Sequence, residues 1–127
     1  MDTSRKRILA AAFATALLAA DSAAFAEAPM YGLIGSLTAQ PGRGGDLIAV
    51  LPKGCARMAG CLSYIVARDA LKPDVVWITE VWKDKASHDA SLKSPVVQAA
   101  ITRGRPLIAA FGTQTATLPV AGVKPGG

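Results

Sequence analysis

The sequence predicts an α+β domain in the order β-α-β-β-α-β, with an antiparallel four-stranded sheet and helices on one face. Three observations lead to this class. Segments rich in β-branched and aromatic residues alternate with segments of helical periodicity. Turns containing glycine or proline separate them, and the two middle strands follow each other through one short loop. This succession is the split unit of ferredoxin-like folds.

The first 26 residues have the pattern of a cleaved export signal. Arg5-Lys6-Arg7 is basic, Ile8 to Ala20 is apolar, and Ala24-Phe25-Ala26 satisfies the cleavage rule before Glu27. The apolar run is about 13 residues long, too short to span a bilayer as a helix. We therefore expect a periplasmic or secreted protein with no stable membrane insertion after cleavage. An uncleaved anchor and a wrongly assigned start are the alternatives.

The predicted domain extends from Met30 to Val120, and its first half contains one strand and one helix. Tyr31 to Thr38 has the composition of a strand and is followed by a glycine-rich turn. Apolar residues at helical spacing begin after Asp46 and continue as far as Met58. Pro52 conflicts with this helix, because its ring clashes with the carbonyl four residues earlier. We expect a kink or an early end there.

The middle of the domain is predicted to be a hairpin of two strands, Cys61 to Arg68 and Val75 to Trp82, joined by a loop containing Pro73. Both strands are apolar on both faces, whereas the predicted helices suffice to cover only one face of the sheet. The second face must be buried against something else. We predict a homodimer in which two identical sheets meet.

The C-terminal part is predicted to contain two helices and a last strand. Asp84 can cap a short helix that runs to Leu92. Ser94 and Pro95 are the preferred N-cap and first residues of a second helix, which ends at Gly104. Leu107 to Leu118 is the last strand, and Ala121 to Gly127 is a Pro/Gly tail that we expect to be disordered.

Charge and cysteine content restrict the class of partner. After the predicted cleavage, eleven basic side chains against seven acidic ones leave a charge of +4. The charges are scattered without a basic stripe, which argues against a nucleic-acid partner. Cys55 and Cys61 either form a disulfide closing a small loop or are two buried small residues. Their spacing, with no nearby histidine, is a poor metal site.

Strand alternation places Glu80 and Trp82 on one face of the third strand and Trp77 on the other. On an apolar face, desolvation would raise the pKa of Glu80 and suit it to general-base catalysis. The alternative is a structural ion pair, for instance with Arg68. Trp77 and Trp82 are candidate aromatic walls of a substrate pocket, and packing in the core is the alternative for Trp82.

His88, the only histidine, lies about one turn into the helix after this strand. An imidazole there can take a proton from a phenol or quinol near neutral pH, although a surface histidine is the commoner case. Tyr64 on the neighbouring strand is a candidate for orienting a substrate oxygen, with simple packing as its alternative. Arg103 and Arg105 can attract an anion at the helix end, or they are solvated surface.

Several segments together resemble the antibiotic biosynthesis monooxygenase domain: YGLIGSLTAQPG, GCLSY, WITEVWKDKASHDASLKSPVVQAAI and the last strand. The resemblance implies a dimeric α/β barrel with a pocket between sheet and helices in each subunit. It implies oxygenation of phenols or quinols without metal or flavin, the deprotonated substrate itself reducing dioxygen. We therefore expect no cofactor, a small aromatic or quinol-like substrate, His88 as base and Glu80 as a second catalytic candidate.

Haem-degrading relatives of this superfamily use an asparagine, a tryptophan and an axial histidine. An approximate overlay places Gly35, Ser91 and Ile101 at those three positions. None of these residues can replace the haem determinants, so haem degradation is disfavoured. The competing functional class is a non-catalytic dimeric module that holds an apolar ligand or protects against stress.

Overall fold

The structure is a computed structural model, and it describes residues 28–123. The predicted export signal and the last four residues of the predicted tail lie outside the described residues. The four strands are β1 (Tyr31–Ala39), β2 (Cys61–Arg68), β3 (Val75–Trp82) and β4 (Ile108–Thr117). The three helices are α1 (Gly44–Val50), α2 (Lys85–Ser91) and α3 (Pro95–Gly104), and a 3₁₀ turn (Arg105–Leu107) precedes β4.

The strands form one antiparallel sheet in the order β2-β3-β1-β4. The predicted hairpin of β2 and β3 is confirmed, and β1 lies between β3 and β4. In this register Glu80 is opposite Tyr64 on one side and Leu33 on the other. The α+β ferredoxin-like fold expected from the sequence is therefore the observed one.

Helix α1 is shorter than its periodicity predicted. It begins at Gly44 and ends at Val50, two residues before Pro52, and residues 51–60 form an irregular loop. Of the two outcomes expected from Pro52, the early end is the one observed. At the start of the helix, the Asp74 carboxylate accepts hydrogen bonds from the backbone N–H groups of Gly42 and Gly44, at 2.9 and 3.0 Å. The contact with Gly44 satisfies a donor that the first helical turn leaves free, and the contact with Gly42 holds the turn before the helix.

Helices α2 and α3 begin at the predicted caps. The Asp84 carboxylate accepts from the backbone N–H of Ser87 at 2.7 Å, and the Ser94 hydroxyl accepts from that of Val97 at 3.2 Å. Pro95 occupies the first turn of α3. Because the cap at Asp84 comes two residues after the end of β3, it determines where α2 leaves the sheet.

Two hydrophobic clusters hold the helices against one face of the sheet. The larger one contains Leu37, Ala39, Leu47, Val76 and Leu107, and the smaller one contains Met58, Cys61 and Trp82. On the opposite face, Ile65, Thr79, Ile34 and Thr115 form a row across the four strands. Ile34 and Ile65 are exposed in the single chain.

Cys55 and Cys61 are joined by a disulfide, which closes the end of the 51–60 loop onto β2. Three residues of this loop line the cavity described below: Leu51, Pro52 and Met58. The bond therefore holds one wall of the cavity in place.

Replacing both cysteines (Cys55→Ala with Cys61→Ala) is expected to lower the free energy of unfolding by about 2 kcal/mol, because a closed loop of this size restricts the unfolded chain. For a domain of this length, that corresponds to a fall in Tm on the order of 10 °C. The measurement is thermal unfolding with and without a reductant. Reduction of the wild type should give nearly the same fall, and an unchanged Tm after complete reduction would contradict the prediction.

Candidate active site

A cavity of about 330 Å³ lies between the helix-covered face of the sheet and the three helices. Most of its walls are aliphatic or aromatic. The apolar side chains include Leu33, Leu37, Leu47, Ile78, Val97, Ala100, Ile101, Ile108 and Phe111. Polar groups are few and include Tyr64, Glu80, His88, Arg105 and Gln114. Such a combination is typical of a small-molecule site, in which a few polar groups orient an otherwise apolar ligand.

Glu80 points into this cavity from the centre of the sheet. Its side chain is 13% exposed. Burial raises the pKa of this carboxyl above its ordinary value, and the neighbouring His88 and Trp82 offset part of the rise. The cause is desolvation, which penalises the charged form. The result is a carboxyl group that holds its proton more tightly than a surface glutamate.

His88 reaches Glu80 from α2. Its Nε2 lies 3.7 Å from Oε2 of Glu80, and its Nδ1 lies 3.2 Å from Oδ1 of Asp89. The ring packs against Tyr31 and meets the edge of Trp82, with centroid distances of 5.1 and 5.6 Å. The side chain is 12% exposed, so His88 is not a surface histidine. When Nδ1 donates to Asp89, the lone pair of Nε2 faces Glu80 and the cavity.

Two further contacts fix the backbone around His88. The hydroxyl of the buried Ser91 donates to the carbonyl of His88 at 2.6 Å. The Asp84 cap holds the other end of the short helix. His88 and Glu80 therefore come together because β3 and α2 are consecutive and the cap sets the turn between them.

Tyr64 lies beside Glu80 on β2 and also lines the cavity. Burial and the negative charge of Glu80 raise the pKa of the Tyr64 phenol far above its ordinary value. The phenol is therefore neutral under physiological conditions and available as a hydrogen-bond donor. This position is compatible with the predicted role of orienting a substrate oxygen.

Trp82 lies behind the site rather than on its surface. Its indole is buried with Met58 and Cys61, outside the residues that line the cavity. Its N–H lies close enough to Glu80 to lower the pKa of that carboxyl, yet it completes no hydrogen bond within the described residues. Of its two predicted roles, the structure favours the core, and from there Trp82 supports the ring of His88.

The structure does not bring Trp77 into the cavity, which corrects its assignment as a substrate-binding residue. The side chain lies on the opposite face of β3, where its Nε1 donates to Asp69 at 2.9 Å. The alternative partner of Glu80 is not found either. The Arg68 guanidinium donates to the carbonyl of Pro73, and within residues 28–123 it makes no ion pair with Glu80. Arg68 is four residues beyond Tyr64 on β2, about 13 Å along the strand.

Sequence reasoning missed three residues of the site. Tyr31 packs on His88, Asp89 faces Nδ1, and Phe111 lines the cavity from β4. Tyr31 is brought to His88 by its pairing with Trp82 across β1 and β3, which the structure shows. Among residues 28–123, no group of three or more His, Cys, Asp or Glu side chains is placed to hold a metal ion. In that same range no helix is long and apolar enough to cross a membrane.

The raised pKa of Glu80 predicts a pH-dependent stability. The folded state binds this proton more tightly than the unfolded chain, whose glutamates titrate near pH 4.3. The free energy of unfolding therefore falls as pH rises from about 4 through the folded pKa, and it stays lower above that value. Glu80→Gln removes the titration. We expect the stability of the variant relative to wild type to increase between pH 4 and pH 8, as measured by urea unfolding.

Asp84→Asn provides a control of opposite sign. Hydrogen bonds from Ser87 lower the pKa of Asp84, so its charged form stabilises the folded state above the unfolded pKa, and this is lost as pH falls. The stability of Asp84→Asn relative to wild type should therefore decrease as pH rises towards the unfolded pKa of about 4 and stay constant above it. Parallel slopes for the two variants would contradict the assignment of the Glu80 shift to burial.

The antibiotic biosynthesis monooxygenase family model matches residues 30–103. A crystal structure from Chloroflexus aurantiacus J-10-fl, provisionally named as an antibiotic biosynthesis monooxygenase, is 56% identical with a TM-score of 0.70, and the match covers 73% of this chain and 95% of that one. A similarly named structure from Caulobacter crescentus CB15 is 21% identical with a TM-score of 0.62, covering 74% and 92%. No curated protein matches the sequence.

The two solved structures carry different weight. The Caulobacter match is similar in fold alone, whereas the Chloroflexus match also shares more than half of the aligned residues. Family membership supports an oxidoreductase activity of the monooxygenase class. Because the family model spans more than half of the sequence and a close structural relative carries the same family name, this chain belongs to the antibiotic biosynthesis monooxygenase family.

Proposed function

We propose that this protein is an exported, cofactor-independent monooxygenase that oxidises a quinol-like or phenolic small molecule with dioxygen. The observation that carries the proposal is the pairing of His88 with Glu80 at 3.7 Å on the wall of an otherwise apolar cavity. The pair supplies a proton acceptor, and the apolar walls supply a dry site for a flat ring.

His88 is the base in this proposal. A phenol or quinol whose hydroxyl approaches Nε2 transfers its proton to the imidazole, and the Glu80 carboxylate stabilises the imidazolium that forms. The distance between Nε2 and Oε2 is longer than a hydrogen bond, which leaves Nε2 free to accept from substrate. The neutral Tyr64 phenol, next to Glu80, donates to the oxygen of the substrate.

The resulting phenolate supplies the electrons. A hydroquinone and one dioxygen give a hydroxyquinone and one water, so the substrate provides all four electrons and no external reductant is consumed. The role of the protein is to remove the proton, hold the ring and exclude water. Low polarity around the pair strengthens its electrostatic interactions with the phenolate.

The test is dioxygen uptake by the mature protein with a panel of benzo- and naphthohydroquinones, measured against the autoxidation rate without protein. With ¹⁸O₂ we expect one ¹⁸O atom in the organic product and one in water for each turnover. Uptake that does not exceed autoxidation would overturn the enzymatic proposal. Thermal stabilisation by the same compounds without turnover would instead indicate the non-catalytic binding module.

The exposed face of the sheet supports a homodimer. Ile34 and Ile65 lie in one row on this face, with no helix over them within the described residues. Two such faces packed together would bury both isoleucines. We expect a sedimentation-equilibrium mass twice that of the mature chain. Ile65→Lys should shift the protein towards monomer, whereas Leu71→Lys in the β2–β3 loop should not; equal masses for the two variants would contradict this interface.

A further inference from the structure

The cavity has a second polar end, formed by Arg105. Two arginines lie near the end of α3, and the structure distinguishes them. Arg105 lines the cavity, whereas Arg103 does not, and its Nε donates to the carbonyl of Ala99 at 3.4 Å. Among residues 28–123 the Arg105 guanidinium has no hydrogen-bond or ion-pair partner. The cavity therefore presents one uncommitted cation.

Sheet register places this cation far from the catalytic pair. Glu80 is opposite Leu33, while Ile108, three residues after Arg105, is opposite Ala39. Leu33 and Ala39 are six residues apart on β1, about 20 Å of strand, and a side chain as long as that of arginine can cover part of this distance. The two polar ends of the cavity are thus separated along the strand direction.

Burial shows that the Arg105 end of the cavity is open to solvent. Glu80 and His88 are largely buried, whereas Ile101, Arg105 and Phe111 are exposed and line the same cavity. Arg105 therefore lies at a solvent-accessible mouth of the cavity, whereas the side chains of Glu80 and His88 lie in its more buried part. The Glu80 carboxylate repels an anionic group at the inner end, while the arginine attracts one at the mouth.

We propose that the substrate is an aromatic acid: a phenol or quinol that carries a carboxylate on the edge remote from the reacting hydroxyl. Arg105 binds the carboxylate at the mouth and directs the hydroxyl towards His88. Guanidinium and carboxylate match as a bidentate pair, which gives orientation as well as affinity. The assignment of the inner end rests on the proposed function, whereas the anion site rests on Arg105 alone.

The probe is 6-hydroxy-2-naphthoic acid, compared with its uncharged methyl ester by isothermal titration calorimetry. Its two fused rings separate the hydroxyl from the carboxylate. We expect wild type to bind the acid about tenfold more tightly than the ester, the scale of a charge-assisted hydrogen bond at a partly exposed site. Arg105→Gln should abolish this preference. Arg103→Gln, which removes the same charge one helical turn or less away, should retain it.

Three results would overturn the inference: no preference for the acid in wild type, equal loss of preference in both variants, or no binding of either compound. Binding and turnover are read separately. An Arg105-dependent preference without dioxygen uptake on any hydroquinone would sustain the anion site and remove the proposed function. Uptake without a preference would remove the anion site and leave the function standing.

Discussion

Replacing His88 with asparagine is expected to lower the rate of dioxygen uptake at least about 100-fold, which is the lower end of the usual effect of losing a general base. The reason is the position of Nε2, which faces the cavity 3.7 Å from Glu80 and is the group proposed to accept the phenolic proton. Asparagine keeps a polar group close to Asp89 but cannot take up that proton. The measurement is the initial rate of uptake with a hydroquinone, after circular dichroism has shown an unchanged fold.

Two further variants separate catalysis from local structure. Asp89→Asn alters the exposed side of His88, where Asp89 also pairs with Lys85 at 2.7 Å, and we expect only a few-fold change in rate. Glu80→Gln combined with His88→Asn should be no slower than His88→Asn alone, because groups that act as one unit are not additive. Equal rates for wild type and His88→Asn would exclude His88 from the mechanism.

The parts of the fold that the sequence predicts well are those determined by local chemistry. Asp84 and Ser94 cap helices because their side chains bond to N–H groups three residues ahead, a pattern visible in the letters. The helix predicted after Asp46 is not of this kind, because its predicted extent was wrong. Met58 continues its apolar spacing, yet it is buried as part of the smaller cluster and not in a helix. A buried loop residue and a helical one are indistinguishable from spacing alone.

The same division applies to the candidate site. Glu80 and His88 are close because one short turn separates a strand from a capped helix; the sequence predicted both as candidates for catalysis but did not predict their contact. Trp77 was predicted to bind substrate because it is aromatic. Strand alternation had already placed it on the face of β3 opposite Glu80, and the structure finds it there. Arg105 lines the cavity only because α3 packs across the sheet and ends at its mouth. No local pattern distinguishes Arg105 from Arg103.

Leu47→Ala is expected to lower the free energy of unfolding by about 2–5 kcal/mol, the range for a fully buried leucine. Leu47 is 0% exposed and belongs to the larger hydrophobic cluster. Leu47 also lines the cavity. The space left by its lost methyl groups therefore joins the cavity, and the core cannot close that space by rearranging. We therefore expect the upper half of that range. Urea unfolding at one fixed protein concentration measures it.

Leu71→Ala is the matched control, because the same atoms are removed from a side chain that is 91% exposed. Its effect should stay within about 0.5 kcal/mol, as for ordinary surface positions. The pair also tests what the cavity does. If Leu47→Ala binds 6-hydroxy-2-naphthoic acid more weakly while Leu71→Ala binds it normally, α1 contributes a ligand wall as well as a core contact. A stability loss below about 1 kcal/mol for Leu47→Ala would mean that α1 is not packed on the sheet as described, and the cavity would lose the wall that α1 forms.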